Sequence, residues 1–368
     1  MKISSTYFLI LFLCVFSCKI VSQNDSIWNS DPKINISCFV DAFYAFDFNN
    51  PSTSYRQTFL YNHNRHNEIN LNLGYFKVST EHEKYRLNFA LHAGTYVNDN
   101  YASEPNLLKN IFEANAGISL NKKNNLWLDV GIFNSHIGFE SATSIDNKTL
   151  TRSLLAENSP YYLSGAKITY STTNKLELAV LICNGWQHIQ KVSGNSLPSF
   201  GTQLLFEPSK KTTLNWSTFI GTDDPDSTRR IRYFNNLYGQ FQLTKKMHLT
   251  LGFDIGIQQN QKHSTQYNHW LSPVLIFQIE ANKKWALATR AEYYDDKNEI
   301  IIHTGLNNEF KTYGASLNID YTPVKAVKCR VEGRYFFNND SIFIQNNKTT
   351  NNNWFIVASI AIKLEKQL

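Results

Sequence analysis

The segment Tyr313-Gly314-Ala315-Ser316-Leu317-Asn318-Ile319-Asp320-Tyr321 alternates apolar and small or polar residues without a break. Side chains of a β-strand point to opposite faces at every step. Ala315, Leu317 and Ile319 therefore share one face, and Gly314, Ser316, Asn318 and Asp320 the other. The same period recurs along the chain. In Ile69 to Tyr75 it sets Ile69, Leu71, Leu73 and Tyr75 against Asn70, Asn72 and Gly74. In Tyr85 to Ala93 it sets Leu87, Phe89 and Leu91 against Arg86, Asn88 and His92, and in Leu249 to Ile257 Leu251, Phe253 and Ile255 against Gly252, Asp254 and Gly256. No segment carries a comparable helical period. Extended over the whole sequence, this reading predicts an all-β chain of about sixteen strands (fourteen to eighteen), the first starting near Ile34 and the last near Asn352.

The connections decide what kind of sheet these strands build. Tight turns fall at Thr80–Glu83, Asn121–Asn124, Thr172–Asn174, Glu207–Lys211, Thr244–Lys246, Ala281–Lys283 and Thr322–Val324. Between them run long polar stretches such as Asn49–Arg65, Asn98–Lys109, His136–Tyr161, Gln187–Pro198 and Asn338–Asn351. Short turns at one end and long loops at the other are the signature of an outer-membrane barrel. Hydrocarbon leaves no water to pair a free sheet edge, so the strands must close on themselves. The expected fold is a transmembrane antiparallel up-and-down β-barrel. Trp354, Ile356, Ala358, Ile360, Ile362 and Leu364 form the lipid face of its closing strand, with Ser359 and Lys363 inside.

Composition agrees. The 368 residues are 42% hydrophobic but only 18% charged, below the roughly 25% of soluble domains, and the mean hydropathy is −0.35. A spanning helix needs about 20 apolar residues; the longest apolar run, Tyr7 to Phe16, is half that and sits in the N-terminal segment. Lys2, that run, and small residues near Ser17 and Ser22 have the three parts of a secretory signal peptide. The expected organisation is a signal peptide over residues 1–22, a short periplasmic segment over 23–33 and a single barrel domain over 34–368, with processing before Cys18 as the rival cut. No plug domain is expected before the first strand. Cys38, Cys183 and Cys329 are scattered and form neither a disulfide framework nor a metal spacing. The net charge of +6 is spread without a basic block, which excludes nucleic acid.

Aromatic residues fall at both ends of the lipid faces: Tyr85, Tyr170, Trp285 and Tyr321 at the periplasmic end, Tyr44, Tyr293, Tyr335 and Trp354 at the outer end. These are the levels at which aromatic girdles sit. Several stretches are also familiar: Phe43-Tyr44-Ala45-Phe46-Asp47-Phe48-Asn49-Asn50-Pro51, Tyr61-Asn62-His63-Asn64-Arg65-His66-Asn67-Glu68, Ser153-Leu154-Leu155-Ala156-Glu157-Asn158-Ser159-Pro160-Tyr161-Tyr162 and Asn184-Gly185-Trp186-Gln187. With them the chain resembles the OmpL-like β-barrel porins over nearly its whole mature length. The resemblance implies an outer-membrane porin-like protein, with no enzymatic residues and no assigned substrate.

A barrel of this size leaves an aqueous channel, so its inward charges are candidate pore-lining residues. They are Lys328, Arg330, Glu332 and Arg334 on one strand, Arg290 and Glu292 on another, and Asp41, Asp47, Glu68, Arg86 and Asp129 with His66 on the early strands. The Arg330/Arg334 ladder is expected to favour anions. The longest loop, His136 to Tyr161, is the third on the outer side; if it enters the lumen, Glu140, Asp146, Lys148, Arg152 and Glu157 form a constriction. His63, Arg65, His66 and Glu68 do not share one face, which argues against metal. Asp223-Asp224-Pro225-Asp226 lacks the spaced ligands of a calcium loop. The function expected is passive or weakly selective diffusion of small hydrophilic solutes, without enzymatic activity or cofactor. The competing reading is a surface receptor or adhesin acting through the long loops. The expected partners are outer-membrane lipid and the solutes themselves, with a homotrimer left open.

Overall fold

The computed structural model describes Trp28, residues 30–305 and residues 309–368; the signal-peptide segment and Cys18 lie outside the described residues. Its strands are β1 (Lys33–Asp47), β2 (Ile69–Glu81), β3 (Tyr85–Ala93), β4 (Ile111–Ser119), β5 (Leu126–Asn134), β6 (Tyr162–Ser171), β7 (Leu176–Cys183), β8 (Ser199–Ser209), β9 (Thr212–Gly221), β10 (Arg232–Gln242), β11 (Met247–Gln259), β12 (Tyr267–Glu280), β13 (Trp285–Asp296), β14 (Phe310–Val324), β15 (Val327–Asn338), β16 (Phe343–Gln345), β17 (Lys348–Thr350) and β18 (Asn352–Gln367). β16 and β17 form a small hairpin in the last outer loop. The other sixteen strands pair antiparallel with their neighbours, and β1 closes the barrel on β18 from Asn35 opposite Gln367 to Asp47 opposite Phe355.

The alternation of the sequence becomes the two faces of this wall. Along β18, Trp354, Ile356, Ile360 and Ile362 are exposed on the outside while Phe355, Val357, Ser359 and Ala361 are buried inside. Along β14, Leu317 and Ile319 face out while Ser316, Asn318 and Asp320 face in. The exposed apolar residues make a lipid-facing surface, on which an Arg or Lys at mid-depth would cost roughly 2–4 kcal/mol. The girdle residues take their expected places. Trp285 packs on Tyr321 at 4.6 Å at the short-turn end, and Tyr293 on Tyr313 at 4.6 Å at the other. Cys38, Cys183 and Cys329 are free thiols on β1, β7 and β15.

One stretch departs from the simple period. Asp41 pairs with Leu73 and Ala42 with Leu71, so Asn72 is an extra residue in β2. Such a bulge switches the face presented by the residues beyond it. Asn72 and Leu73 are therefore both buried, and Tyr75 turns inward to pack against Phe39 and Phe112, each at 5.3 Å. The single apolar face expected over Ile69–Tyr75 is corrected accordingly. His66 and Glu68 also precede β2 rather than lying on it.

Candidate functional site: the loop-filled lumen

The third outer loop, residues 135–161, folds into the barrel and docks on the wall built by β12 to β18. The wall supplies charged side chains, and the loop supplies backbone groups that have no strand partner. Arg290 donates to the Thr151 carbonyl at 2.7 Å and to Thr149 Oγ1 at 3.1 Å; Arg330 donates to the carbonyls of Ser144 at 2.7 Å and Asn147 at 3.1 Å; Arg334 donates to the Arg152 carbonyl at 2.8 Å. In return the Thr151 and Leu154 amides donate to Glu332 and Glu292, each at 2.6 Å, and the Leu150 amide donates to Asn318. Buried backbone groups must be paired, and here the barrel wall pairs those of the loop.

The same charges are neutralised among themselves. Arg290 lies 2.7 Å from Glu332 and 3.2 Å from Glu292, Arg334 lies 2.6 Å from Glu292, and Arg330 lies 2.8 Å from Asp320. The side chains of Arg290, Glu292, Arg330, Glu332 and Arg334 face inward as the alternation requires. They are nonetheless buried under the loop, which corrects the expectation of a wet arginine ladder. Loop polypeptide, rather than water, covers this wall.

The other candidate residues are spread over the loop and the rest of the wall. Lys328 donates to the Ile145 carbonyl at 2.7 Å, and Asp146 pairs with Lys363 of β18 at 3.3 Å. Lys148 is half-buried beside Lys328 in a cavity of about 330 Å³ at the short-turn end. Arg152 is fully buried and donates to the carbonyls of Ser141, Ala142 and Leu150. Glu140 accepts from the amide and hydroxyl of Ser153. Arg86 and Asp129 pair across Gly117 of the intervening strand; a Cβ at Gly117 would fall 2.3 Å from the Asp129 carboxylate.

The first outer loop, residues 48–68, also enters the barrel, which the sequence reading missed. Arg56 sits 3.6 Å from Asp47 and stacks over Phe355; His63 bonds to Asp41 at 2.9 Å, and its amide donates to Asn72, the bulge residue. Phe59 packs among Phe310, Phe336 and Phe343. Arg65 pairs with Asp99, His66 accepts from the Asp47 amide, and Glu68 accepts from Asn70. Asp41 and Asp47 therefore anchor a loop instead of lining open lumen. Among the described residues no group of three or more His, Cys, Asp and Glu is placed to hold a metal ion. Asp223, Asp224 and Asp226 pair with Arg232, Arg230 and Arg229.

The two inward loops meet at Glu157, in the short helix Leu154–Glu157 that Ser153 caps. Its carboxylate accepts from the amides of Tyr61 at 2.9 Å and Asn62 at 3.3 Å. Burial pushes its pKa up to about 7, against the lowering effect of these bonds. Burial raises Glu140 as well.

The lumen keeps open space beside the docked loop. An outer cavity of about 380 Å³ lies between Tyr61, Asp99, Glu157, Trp186 and Arg232. A middle one of about 270 Å³ lies between the loop and Phe112, Tyr238 and Gln240 of the wall, and shares Ser159 with the first. A third, of about 590 Å³, shares Phe112, Asn134 and Ser141 with the second and reaches Lys366 and Gln367 at the short-turn end.

A closed sixteen-stranded barrel, apolar outside and holding a long loop inside, is the architecture of a porin-like outer-membrane protein. The family model described as "Putative beta-barrel porin-2, OmpL-like" matches residues 33–364, and the chain belongs to this family. Solved structures share the fold at low identity. The outer membrane channel DcaP of Acinetobacter baumannii is 12% identical with a TM-score of 0.58, covering 91% of this chain and 98% of its own. An anion-selective porin from Comamonas acidovorans is 8% identical with a TM-score of 0.58, covering 91% and 100%. OmpT of Vibrio cholerae is 9% identical with a TM-score of 0.56, covering 92% and 99%, and is also described in a trimer form. No curated protein sequence matches the chain.

Proposed function

We propose that this porin-family barrel is a passive, weakly selective diffusion channel for small hydrophilic solutes, which pass beside the third loop. The observation that carries the reading is the series of three adjoining cavities from Glu157 to Gln367, the outer and inner ones mostly polar and the middle one narrowed by aromatic and aliphatic side chains around Glu140. Glu140, Asp146 and Glu157 line this route, with Lys148 beside its inner mouth; Arg152 holds the loop's shape from behind. Arg290, Arg330 and Arg334 act as the docking face for the loop.

In this reading residues 1–22 direct export and 23–33 lead into the barrel. The channel is no enzyme, and it assembles as a homotrimer in the outer membrane. The third loop and residues 56–65 of the first, which are the bulk of the two longest loops, are held inside, away from a partner at the cell surface, which weighs against the receptor or adhesin reading. Full-length mature protein inserted in planar lipid bilayers should give discrete conductance steps. Silent bilayers containing folded protein would sink the channel and revive the receptor.

A further inference from the structure

We propose that the route past the third loop prefers cations, with Glu140 and Glu157 setting that preference. This rests on the channel reading above. The arginines that suggested anion selection are absent from all three cavity walls; their charge is matched by Asp320, Glu292 and Glu332 and covered by loop carbonyls.

Charges on the cavity walls mostly cancel. In the outer cavity Asp99 is matched by Arg65 and Asp223 by Arg232. In the inner one Glu113 is matched by Lys77, Lys363 lies between Asp146 and Glu365, and Glu81 and Lys366 complete a wall of four carboxylates and three lysines. On the walls of the other two cavities, two carboxylates have no such partner. Glu140 is the one charged side chain lining the middle cavity; Oε2 accepts from Ser153, while Oε1 has no hydrogen-bond partner in the structure. Glu157 is held by the Tyr61 and Asn62 amides. Among the described residues neither has a cation within ion-pair distance. Arg152 is near both, but its guanidinium is buried on loop carbonyls behind the cavity walls. Carboxylates with low-dielectric walls around them concentrate cations and repel anions along a narrow path.

The test is the reversal potential of the intact channel in a planar bilayer across a tenfold gradient of potassium chloride. Potassium should be several-fold more permeant than chloride, and the ratio should fall toward one in the E140Q/E157Q double variant. A wild-type preference for chloride overturns the inference, and this outcome does not depend on the variant folding. A potassium preference unchanged in a folded, conducting double variant overturns the assignment to these residues. Absence of steps in the wild type removes the channel reading itself.

The short-turn rim carries a second, independent feature. Every turn there contains lysine, often as adjacent pairs such as Lys210–Lys211 and Lys283–Lys284, and those two pairs are exposed. From Lys122 to Lys325 none of the exposed turn lysines lies within ion-pair distance of a carboxylate among the described residues. The lysines ring the barrel next to Tyr85, Tyr170, Trp285 and Tyr321, at the level where lipid headgroups lie. We infer that this rim binds the anionic phospholipid headgroups of the adjoining leaflet. A ring along the whole perimeter fits a membrane plane, whereas a protein partner would need a patch on one side.

Electron spin resonance of spin-labelled phosphatidylglycerol and phosphatidylcholine around the reconstituted barrel tests this. Phosphatidylglycerol should be enriched several-fold at the protein, and the enrichment should fall in high salt and in the Lys210→Gln, Lys211→Gln, Lys283→Gln, Lys284→Gln variant. Equal association of the two lipids in the wild type would overturn it and leave a soluble anionic partner as the occupant.

Discussion

Glu157 illustrates how one side chain can tie two loops together and respond to pH. Glu157 belongs to loop 3, and loop 1 reaches it through the Tyr61 and Asn62 amides; Arg56, Arg152, Arg290 and Arg334 act on it at a distance as cations, and Tyr61, Tyr96 and Tyr161 adjoin it. Its pKa is raised to about 7, so the docked loops bind the proton more tightly than the open chain does. The stabilisation from that proton is fully present below the ordinary carboxylate range and is lost as pH rises through about 7. Two outcomes are expected between pH 5.5 and 8: the protection of the docked-loop amides, taken relative to their intrinsic base-catalysed exchange, falls, and the potassium preference grows as the carboxylate ionises. E157Q should flatten both profiles. Protection factors of residues 57–64 and 150–158 that do not change with pH in the wild type would contradict this account.

At the scale of elements, the third loop is held by the buried ion pairs of β13 and β15. Removing one partner of such a pair leaves an unmatched charge and costs about 3–5 kcal/mol. Arg334→Ala strips Glu292 of one cation and the Arg152 carbonyl of its donor, so hydrogen exchange over residues 143–157 should accelerate while the strand amides stay protected. Equal protection in wild type and variant would show that the pair does not hold the loop. A second variant probes the neighbouring wall. Gly117→Ala places a methyl between Arg86 and Asp129 and should destabilise the barrel by about 1–3 kcal/mol, read as a lower midpoint in urea. These devices were only partly legible in the sequence. Strands announce themselves because each obeys a local period of two, and Arg290, Glu292, Arg330, Glu332 and Arg334 were assigned to the inner face on that period alone. Their burial was hidden because it depends on Thr149 and Thr151, about 140 to 180 positions away, meeting them in space. The Asn72 bulge was hidden because Asn72 and Leu73 fit the alternation as written; only the pairing of Asp41 with Leu73 shows the slip. Loop 1 did carry a signal, in Arg56 and His63 set among polar loop residues with Asp47 and Asp41 waiting on β1.

For the molecule as a whole, the wall and its filling are separate structural systems. Sixteen strands pair in a closed ladder that needs nothing from the lumen, since every edge is satisfied by a neighbouring strand. The loops then occupy space that a barrel of this strand number would otherwise leave to water. On the channel reading, conductance should be set by loop 3 more than by strand number. Replacing residues 143–153 with a short Gly/Ser linker should leave a folded barrel, because the excised contacts are between loop and wall and none is part of the ladder. It should also join the three cavities and uncover the β12–β18 wall, so the single-channel step should rise roughly twofold or more. The newly wetted wall carries Arg290, Arg330 and Arg334 with Glu292, Glu332 and Asp320 still beside them, so its charges largely cancel and the wider pore should lose cation preference without becoming an anion channel. A folded deletion variant whose steps match the wild type would mean that solutes pass somewhere other than beside the loop, and the route from Glu157 to Gln367 would have to be abandoned.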